Sequence, residues 1–247
     1  GPLVGVMPWN FPYYQVARFV APNLMTGNTI ILKHAEICAG SAEVMAGILH
    51  DAGVPDDAYV NVFADHDQIA EMIADPRVRG VSLTGSERAG AAVARTAAEH
   101  LKKSVLELGG SDPLIVLEDA DIARVARAAA AARLSNAGQA CNSPKRMIVP
   151  SARLDEFVAA IVEEFEGATL GDPLDESVDV GPLSSLGARD GVVEQVARAV
   201  EQAGYTATLP APPTERSESE DEGESEDPEL RSLRQRLIGA ALLTIPV

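Results

Sequence analysis

The sequence predicts an α/β fold in which helices cover a parallel sheet. Apolar segments of strand length alternate with segments of helical periodicity through most of the first 205 residues. Glycine and proline punctuate these segments, and Gly53 and Pro55 end the second predicted helix. Alternation of this kind favours parallel strands, because two parallel strands must be joined by a crossover that is usually a helix.

The predicted elements fall into two groups. In the first group the strands are 3–7, 28–32, 59–63, 78–83 and 104–108, and the helices are 13–24, 35–52, 67–74 and 87–100. In the second group the strands are 114–117 and 146–149, and the helices are 122–134, 154–166 and 190–203. We therefore predict one domain at 1–108 and another at 109–205.

The remaining residues, 206–247, differ in composition from the rest. Between 215 and 229, nine acidic residues stand against one Arg. A segment so acidic and so poor in apolar residues cannot bury a core. We predict that 206–247 is a divergent acidic tail that is largely disordered.

Charge and cysteine content exclude several classes of protein. The formal net charge is −17, so a nucleic acid partner is not expected. No apolar run is long enough to span a membrane. Two cysteines are too few for a disulfide scaffold, which favours a reduced, cytoplasmic protein. The four histidines lack metal-ligand spacing, and no metal site is predicted.

Three short segments carry residues suited to chemistry: PWNFP at 8–12, LELGG at 106–110 and GQAC at 138–141. Taken singly, each has an ordinary structural explanation, with Asn10 as a turn residue, Cys141 as an inert small side chain and Glu107 as a paired carboxylate at the end of a buried strand. Taken together, they supply a thiolate nucleophile, an amide that can hold an oxyanion and a base that can activate water.

Six segments, in order, resemble the aldehyde dehydrogenase superfamily and, within it, the succinate-semialdehyde dehydrogenase branch. They are MPWNFP, ILKHAE, LTGS, VLELGGSDP, GQAC followed by Lys145 and Arg146, and LGDP. The resemblance covers 1–205. It implies a Rossmann-like cofactor domain at 1–108, an incomplete α/β catalytic domain at 109–205, and oxidation of a small-molecule aldehyde with NAD(P).

The resemblance also implies roles for single residues. Cys141 would attack the aldehyde to give a thiohemiacetal and then a thioester. The Asn10 side chain and the Cys141 backbone amide would hold the oxyanion, and Glu107 would activate the water that releases the acid.

A cofactor site is implied in the same way, although the usual GxGxxG fingerprint is absent and Gly85-Ser86 stands in its place at a helix start. The expected cofactor-binding residues are Met7, Pro8, Trp9, Asn10, Lys33, Glu36, Thr84, Gly85, Ser86, Leu108 and Gly109. Because Glu36 would bind ribose hydroxyls and repel a 2′-phosphate, we expect NAD to be preferred over NADP, with Lys33 softening the bias.

The resemblance leaves alternatives open. Full-length relatives are homo-oligomeric and carry a β-arm for assembly and a Glu-x-Phe segment for the nicotinamide ribose, and neither segment is found here. We therefore expect a chain truncated at both ends that shows little or no dehydrogenase activity by itself. The alternative is an inactive remnant that at most binds a nucleotide. A thiol acyltransferase is disfavoured, because LTGS and ILKHAE would serve no purpose in it.

Overall fold

A computed structural model describes residues 1–202, which divide into two compact units. The first unit is Gly1–Gly109, and the second begins at Gly110. The predicted tail at 206–247 and the end of the helix predicted at 190–203 lie outside the described residues. None of the helices within residues 1–202 is long and apolar enough to cross a membrane.

The first unit alternates five strands with four α-helices. The strands are β1 (Pro2–Met7), β2 (Thr29–His34), β3 (Tyr59–Val62), β4 (Gly80–Thr84) and β5 (Lys103–Glu107). The helices are α1 (Pro12–Met25), α2 (Ala39–Asp51), α3 (His66–Ala74) and α4 (Glu87–Glu99). All pairings are parallel, and the strand order is β3-β2-β1-β4-β5.

Alternate residues of β1 point to opposite faces of this sheet. Leu3 and Met7 belong to a core formed with α1 and α2. Val4 and Val6 belong to a second core formed with α3 and α4. Helices therefore cover both faces, and the predicted parallel sheet between helices is confirmed.

Short polar side chains fix the starts of several helices. Asp65 and Gln68 form a reciprocal capping box at α3, with hydrogen bonds of 2.8 and 2.9 Å. Ser86 caps α4 by accepting the Ala89 N–H. These caps satisfy backbone donors that the first helical turn leaves without partners.

The second unit contains a smaller parallel sheet. Its elements are β6 (Asp112–Ile115), α5 (Ile122–Leu134), β7 (Pro144–Ile148), α6 (Leu154–Glu166) and α7 (Leu186–Gln202). β6 pairs with β7, and the alanine-rich face of α5 packs with Phe157 and Ile161 of α6. Ile115 and Ile148 remain 64% and 51% exposed.

Two local predictions differ from the structure. The helix predicted at 35–52 is split into a short 3-10 helix at Glu36–Cys38 followed by α2. Glu107 was expected to end a buried strand, but β5 is largely exposed because it lies at the edge of the sheet. The apolar residues of β5 do not reveal its place in the strand order. Within the described residues β5 pairs with β4 alone.

Gly5 provides a test of the packing around β1. A Cβ atom at Gly5 would lie 2.5 Å from Phe19 Cε1 and 3.0 Å from Leu32 Cδ1. We expect Gly5→Ala to lower the free energy of unfolding by about 1–3 kcal/mol, because the core of α1 must move. Urea denaturation followed by circular dichroism measures this change.

The matched control is Gly47→Ala on α2, where a Cβ atom would meet no heavy atom within 4 Å. This variant should gain about 0.5–1 kcal/mol, because alanine is the better helix former. Equal stability of the Gly5→Ala variant and the parent protein would contradict the packing described here.

Candidate active site

The carboxyl ends of five parallel strands form one edge of the first unit. Met7, His34, Val62, Thr84 and Glu107 are the last residues of these strands. Most of the residues predicted to bind the cofactor lie at or just beyond these ends. The parallel topology therefore brings together segments that are far apart in the sequence.

The loops that leave β1 and β4 lie at the switch point of the sheet. From β1 the chain continues to β2 on one side, whereas β4 pairs on the other side. Connections that diverge in this way leave a crevice at the carboxyl edge, where ligands bind in open α/β sheets. Met7–Asn10 and Thr84–Ser86 are the segments beside this crevice.

Gly85 and Ser86 connect β4 to the N-terminus of α4. The Gly85 N–H donates to the Glu107 carbonyl oxygen at 2.9 Å, which ties this loop to the end of β5. Helix N-termini present backbone amides and a positive dipole end, and both features suit a phosphate group. The residues at this position therefore fit a dinucleotide pyrophosphate.

The loop that carries Trp9 and Asn10 is held by the end of β2. His34 Nδ1 accepts the Ala35 N–H at 2.8 Å, so Nε2 carries the ring proton and donates to the Pro12 carbonyl oxygen at 2.9 Å. His34 is buried, and its positioning role was missed from the sequence. The signal for this role in the sequence is that His34, a polar residue, occupies a buried position in the alternating burial pattern of β2.

Lys33 and Glu36 lie at the carboxyl end of β2. Lys33 is half-buried in the strand, and Glu36 is exposed at the start of the 3-10 helix. An open cavity of about 570 Å³ lies at the carboxyl end of the neighbouring strand β3 and is lined in part by Phe63, Ala64 and Met72. The carboxyl edge therefore carries the cation Lys33, the anion Glu36 and a partly apolar cavity.

Glu107 forms an ion pair, in line with its ordinary explanation as a paired carboxylate, and the sequence did not identify the partner. Arg18 Nη2 of α1 lies 3.4 Å from Glu107 Oε2, and the Glu107 side chain is 52% exposed. The candidate base thus has a cationic neighbour.

The two residues that follow Glu107 lie at the end of the first unit. Leu108 packs against α4, since a Cβ atom at Gly90 would lie 2.5 Å from Leu108 Cδ2. Gly109 is the last residue of the first unit.

Cys141 lies in the second unit, in a half-buried loop between α5 and β7. Asn136, Ala137 and Gly138 precede it with φ angles of 52°, 54° and 75°. Left-handed backbone costs about 1–2 kcal/mol at a residue with a Cβ atom, so the surrounding packing must hold this turn.

Arg133 of α5 supplies part of that packing. Its Nη1 donates to the Gly138 carbonyl oxygen at 3.4 Å and to the buried Ser143 Oγ at 3.2 Å. Burial lowers the pKa of the Arg133 guanidinium. Gly110 also approaches this loop, since a Cβ atom there would lie 2.4 Å from the Cys141 carbonyl oxygen.

The arrangement separates the predicted residues into two sets. The first unit holds the predicted cofactor-binding residues together with Asn10 and Glu107, and the second holds Cys141. Residues 1–202 contain no cluster of His, Cys, Asp and Glu side chains suited to a metal ion. Nucleotide binding and thiol chemistry are the capabilities that these residues offer.

Comparison with known proteins identifies the family. Residues 1–224 match the sequence profile described as the aldehyde dehydrogenase family. The chain belongs to this family. The resemblance predicted from the six segments is therefore confirmed.

Several aldehyde dehydrogenases are similar to this chain. The succinate-semialdehyde dehydrogenase [NADP(+)] of Deinococcus radiodurans is 52% identical over 202 residues, which are 82% of this chain and 42% of that protein. The Escherichia coli succinate semialdehyde dehydrogenase [NAD(P)+] is 42% identical and matches 82% of this chain and 44% of its own length.

A solved structure gives the same result. The succinic semialdehyde dehydrogenase of Streptococcus pyogenes, in complex with NADP+, superposes with a TM-score of 0.79 at 44% identity. The match covers 83% of this chain and 45% of that one. The chain thus spans less than half the length of these relatives. Their names do not support the expected preference for NAD, because NADP appears in all three.

The two cysteines differ in environment, which predicts different reactivity. Cys38 is buried, and burial raises the pKa of its thiol, so little thiolate forms at neutral pH. Cys141 is only half-buried in a polar loop. We expect iodoacetamide to alkylate Cys141 at least about tenfold faster than Cys38 in the folded protein, as mass spectrometry of the peptides would show.

Labelling in concentrated urea is the control, because both thiols should then react at similar rates. Faster labelling of Cys38 in the folded protein would count against Cys141 as the nucleophile.

Proposed function

We propose that this chain serves the oxidation of an aldehyde to a carboxylic acid with NADP or NAD, and that the aldehyde is succinate semialdehyde. The observation that carries the proposal is the half-buried Cys141 in a strained, anchored loop of an aldehyde dehydrogenase. Strained backbone is retained where function requires one geometry. The names of the similar proteins support the choice of aldehyde.

Cys141 is the proposed nucleophile. Its thiolate adds to the aldehyde carbon, and the carbonyl oxygen becomes an oxyanion that the Asn10 side chain and the Cys141 backbone N–H hold. Loss of hydride from that carbon leaves a thioester on the sulfur. Glu107 then takes a proton from water as the water attacks the thioester, so that the acid and the thiolate are released.

A dinucleotide held at the carboxyl edge of the first unit would supply the acceptor for the hydride. Gly85, Ser86 and the N-terminus of α4 are proposed to hold its pyrophosphate, and Met7, Pro8 and Trp9 to line the nicotinamide end. Thr84, Leu108 and Gly109 complete that end. Lys33 and Glu36 are proposed to bind the adenine ribose, with the cavity beside β3 available to the adenine ring.

Arg18 is a candidate for the distal carboxylate of the substrate. Its guanidinium lies beside Glu107, and its side chain is 33% exposed. An exposed ion pair contributes little to stability, so Arg18 can exchange this partner at low cost. A planar guanidinium suits bidentate binding of a carboxylate.

Two other functions compete with this proposal. A remnant that only binds nucleotides would use the edge of the first unit and make no use of Cys141. A thiol acyltransferase would use Cys141 and leave the nucleotide edge without a purpose. Turnover that needs both the dinucleotide and Cys141 distinguishes the proposed oxidation from either alternative.

The direct test is NADPH formation by the purified chain with succinate semialdehyde. We expect little turnover from the chain by itself. Cys141→Ala should abolish whatever turnover it shows and Cys38→Ala should preserve it, because only Cys141 is the proposed nucleophile. Arg18→Met should raise KM for succinate semialdehyde by about tenfold, the equivalent of 1.4 kcal/mol, and leave KM for butanal unchanged, whereas any change in kcat from loss of the ion pair with Glu107 should be shared by both aldehydes.

Dinucleotide binding without Cys141-dependent turnover would favour the nucleotide-binding remnant. An equal rise in KM for butanal in the Arg18→Met variant would show that Arg18 does not recognise the carboxylate.

The charges at the end of β2 give a prediction about the cofactor. We expect Glu36→Ser to improve NADP binding relative to NAD by about tenfold, because repulsion of the 2′-phosphate is removed. Lys33→Met should change the ratio in the opposite direction. Isothermal titration calorimetry with both dinucleotides measures the ratio.

Glu43→Ser is the matched control, because Glu43 is an exposed carboxylate in the second turn of α2. An unchanged ratio in the Glu36→Ser variant would place Glu36 away from the ribose.

A further inference from the structure

Lys145 is the most deeply buried charged side chain among the described residues. It lies on β7, four residues after Cys141, and is 1% exposed. Its Nζ donates to the carbonyl oxygens of Gly110 at 2.6 Å, Ala140 at 3.3 Å and Cys141 at 3.4 Å. A lysine ammonium has three N–H donors, so all three have acceptors in the loop that carries Cys141.

The surroundings of Lys145 show that its burial has a cost. Desolvation lowers the pKa of Lys145, and the positive charge of Arg133 on α5 lowers it further. Cys141 and Asp112 of β6 oppose this shift. None of the ion pairs among the described residues includes Lys145. Carbonyl dipoles therefore stabilise a buried cation that water would otherwise solvate.

We propose that Lys145 is a positioning residue for Cys141, which fixes the orientation of the Ala140–Cys141 peptide and places a positive charge near the thiol. This inference rests on the proposed role of Cys141 as the nucleophile. It assigns a function to a lysine that follows the GQAC segment and that the chemistry above does not use.

The orientation of the peptide follows from its geometry. The described residues contain no cis peptide bond, so the Ala140 C=O and the Cys141 N–H point in opposite directions from one plane. Lys145 binds that carbonyl oxygen and thereby fixes the direction of the Cys141 N–H. This N–H is the proposed oxyanion donor, and removing such a donor typically costs about 10²–10³ in rate.

Gly110 limits the movement of the same segment. Its carbonyl oxygen accepts the shortest of the three Lys145 hydrogen bonds, and its Cα approaches the Cys141 carbonyl oxygen too closely for a Cβ atom. Lys145 thus joins the strand that begins after Gly110 to the loop of Cys141.

Arg146 provides a matched control on the same strand. It is exposed, and its Nε donates to the Ser111 carbonyl oxygen at 2.8 Å. It carries the same charge as Lys145 and lies one residue further along, with its side chain bound outside the Cys141 loop. A general effect of positive charge would appear in both residues, whereas positioning requires Lys145.

The test is the pH profile of Cys141 alkylation by iodoacetamide in the full chain, with Cys38 as the internal reference. Lys145→Met should slow alkylation at neutral pH by about tenfold and move the profile to higher pH, because a charge and three hydrogen bonds are lost. Lys145→Arg should keep the profile within about a factor of three of the parent rate. Arg146→Met should leave it unchanged.

Lys145→Gln decides the question if Lys145→Met does not fold, because glutamine keeps two N–H donors without the charge. It should show the same displacement of the profile while the Cys38 rate stays constant. An unchanged Cys141 profile in the folded glutamine or methionine variant overturns the proposal. The measurement needs no aldehyde or dinucleotide, so absence of turnover does not affect it. Slow labelling of Cys141 in the parent chain would instead contradict the proposed nucleophile.

Discussion

The central position of β1 is the constraint on which the first unit depends. β1 pairs with β2 on one side and β4 on the other, and it supplies residues to the cores on both faces of the sheet. The loops that leave β1 and β4 therefore flank the switch point. Gly5 permits this arrangement, since Phe19 and Leu32 occupy the space that a side chain would need. The carboxyl edge of this sheet, where the nucleotide is proposed to bind, is thus a consequence of strand order and needs no special local strain.

The second unit builds its candidate site in a different way. Its proposed nucleophile, Cys141, does not follow a strand end but follows a turn with three consecutive left-handed residues. Such a turn is unstable without support, and Arg133 and Lys145 supply the support through hydrogen bonds to its carbonyl oxygens. Lys145 is buried and Arg133 is half-buried, and the positive charge of Arg133 lowers the pKa of Lys145. Packing around the turn therefore sets both the shape of the loop and its electrostatics.

The sequence predicted the alternating strands and helices because the apolar periodicity is regular and the helix starts carry caps. The resemblance implied which segments bind the cofactor. These segments lie together because the parallel topology places every strand end at one edge of the sheet. The sequence did not reveal Lys145, His34 or Arg133 as positioning residues, since charged and polar side chains are expected at the surface unless tertiary contacts bury them. The burial of β5 was also predicted wrongly, because edge or central position depends on strand order. The preference for NAD was inferred from Glu36, with Lys33 only softening the bias, and the names of the similar proteins do not support it.

The acidic composition sets a condition on any anionic ligand of this chain. The net charge of −17 opposes the approach of a dinucleotide or a carboxylate from a distance. At physiological ionic strength the Debye length is about 8 Å, so distant acidic residues contribute little within a crevice. In the proposed function, short-range groups therefore decide binding: the N-terminus of α4, Lys33 at the end of β2 and Arg18 beside Glu107. Because each of them lies at the carboxyl edge of the sheet or beside it, the local field there can favour anions although the whole chain repels them.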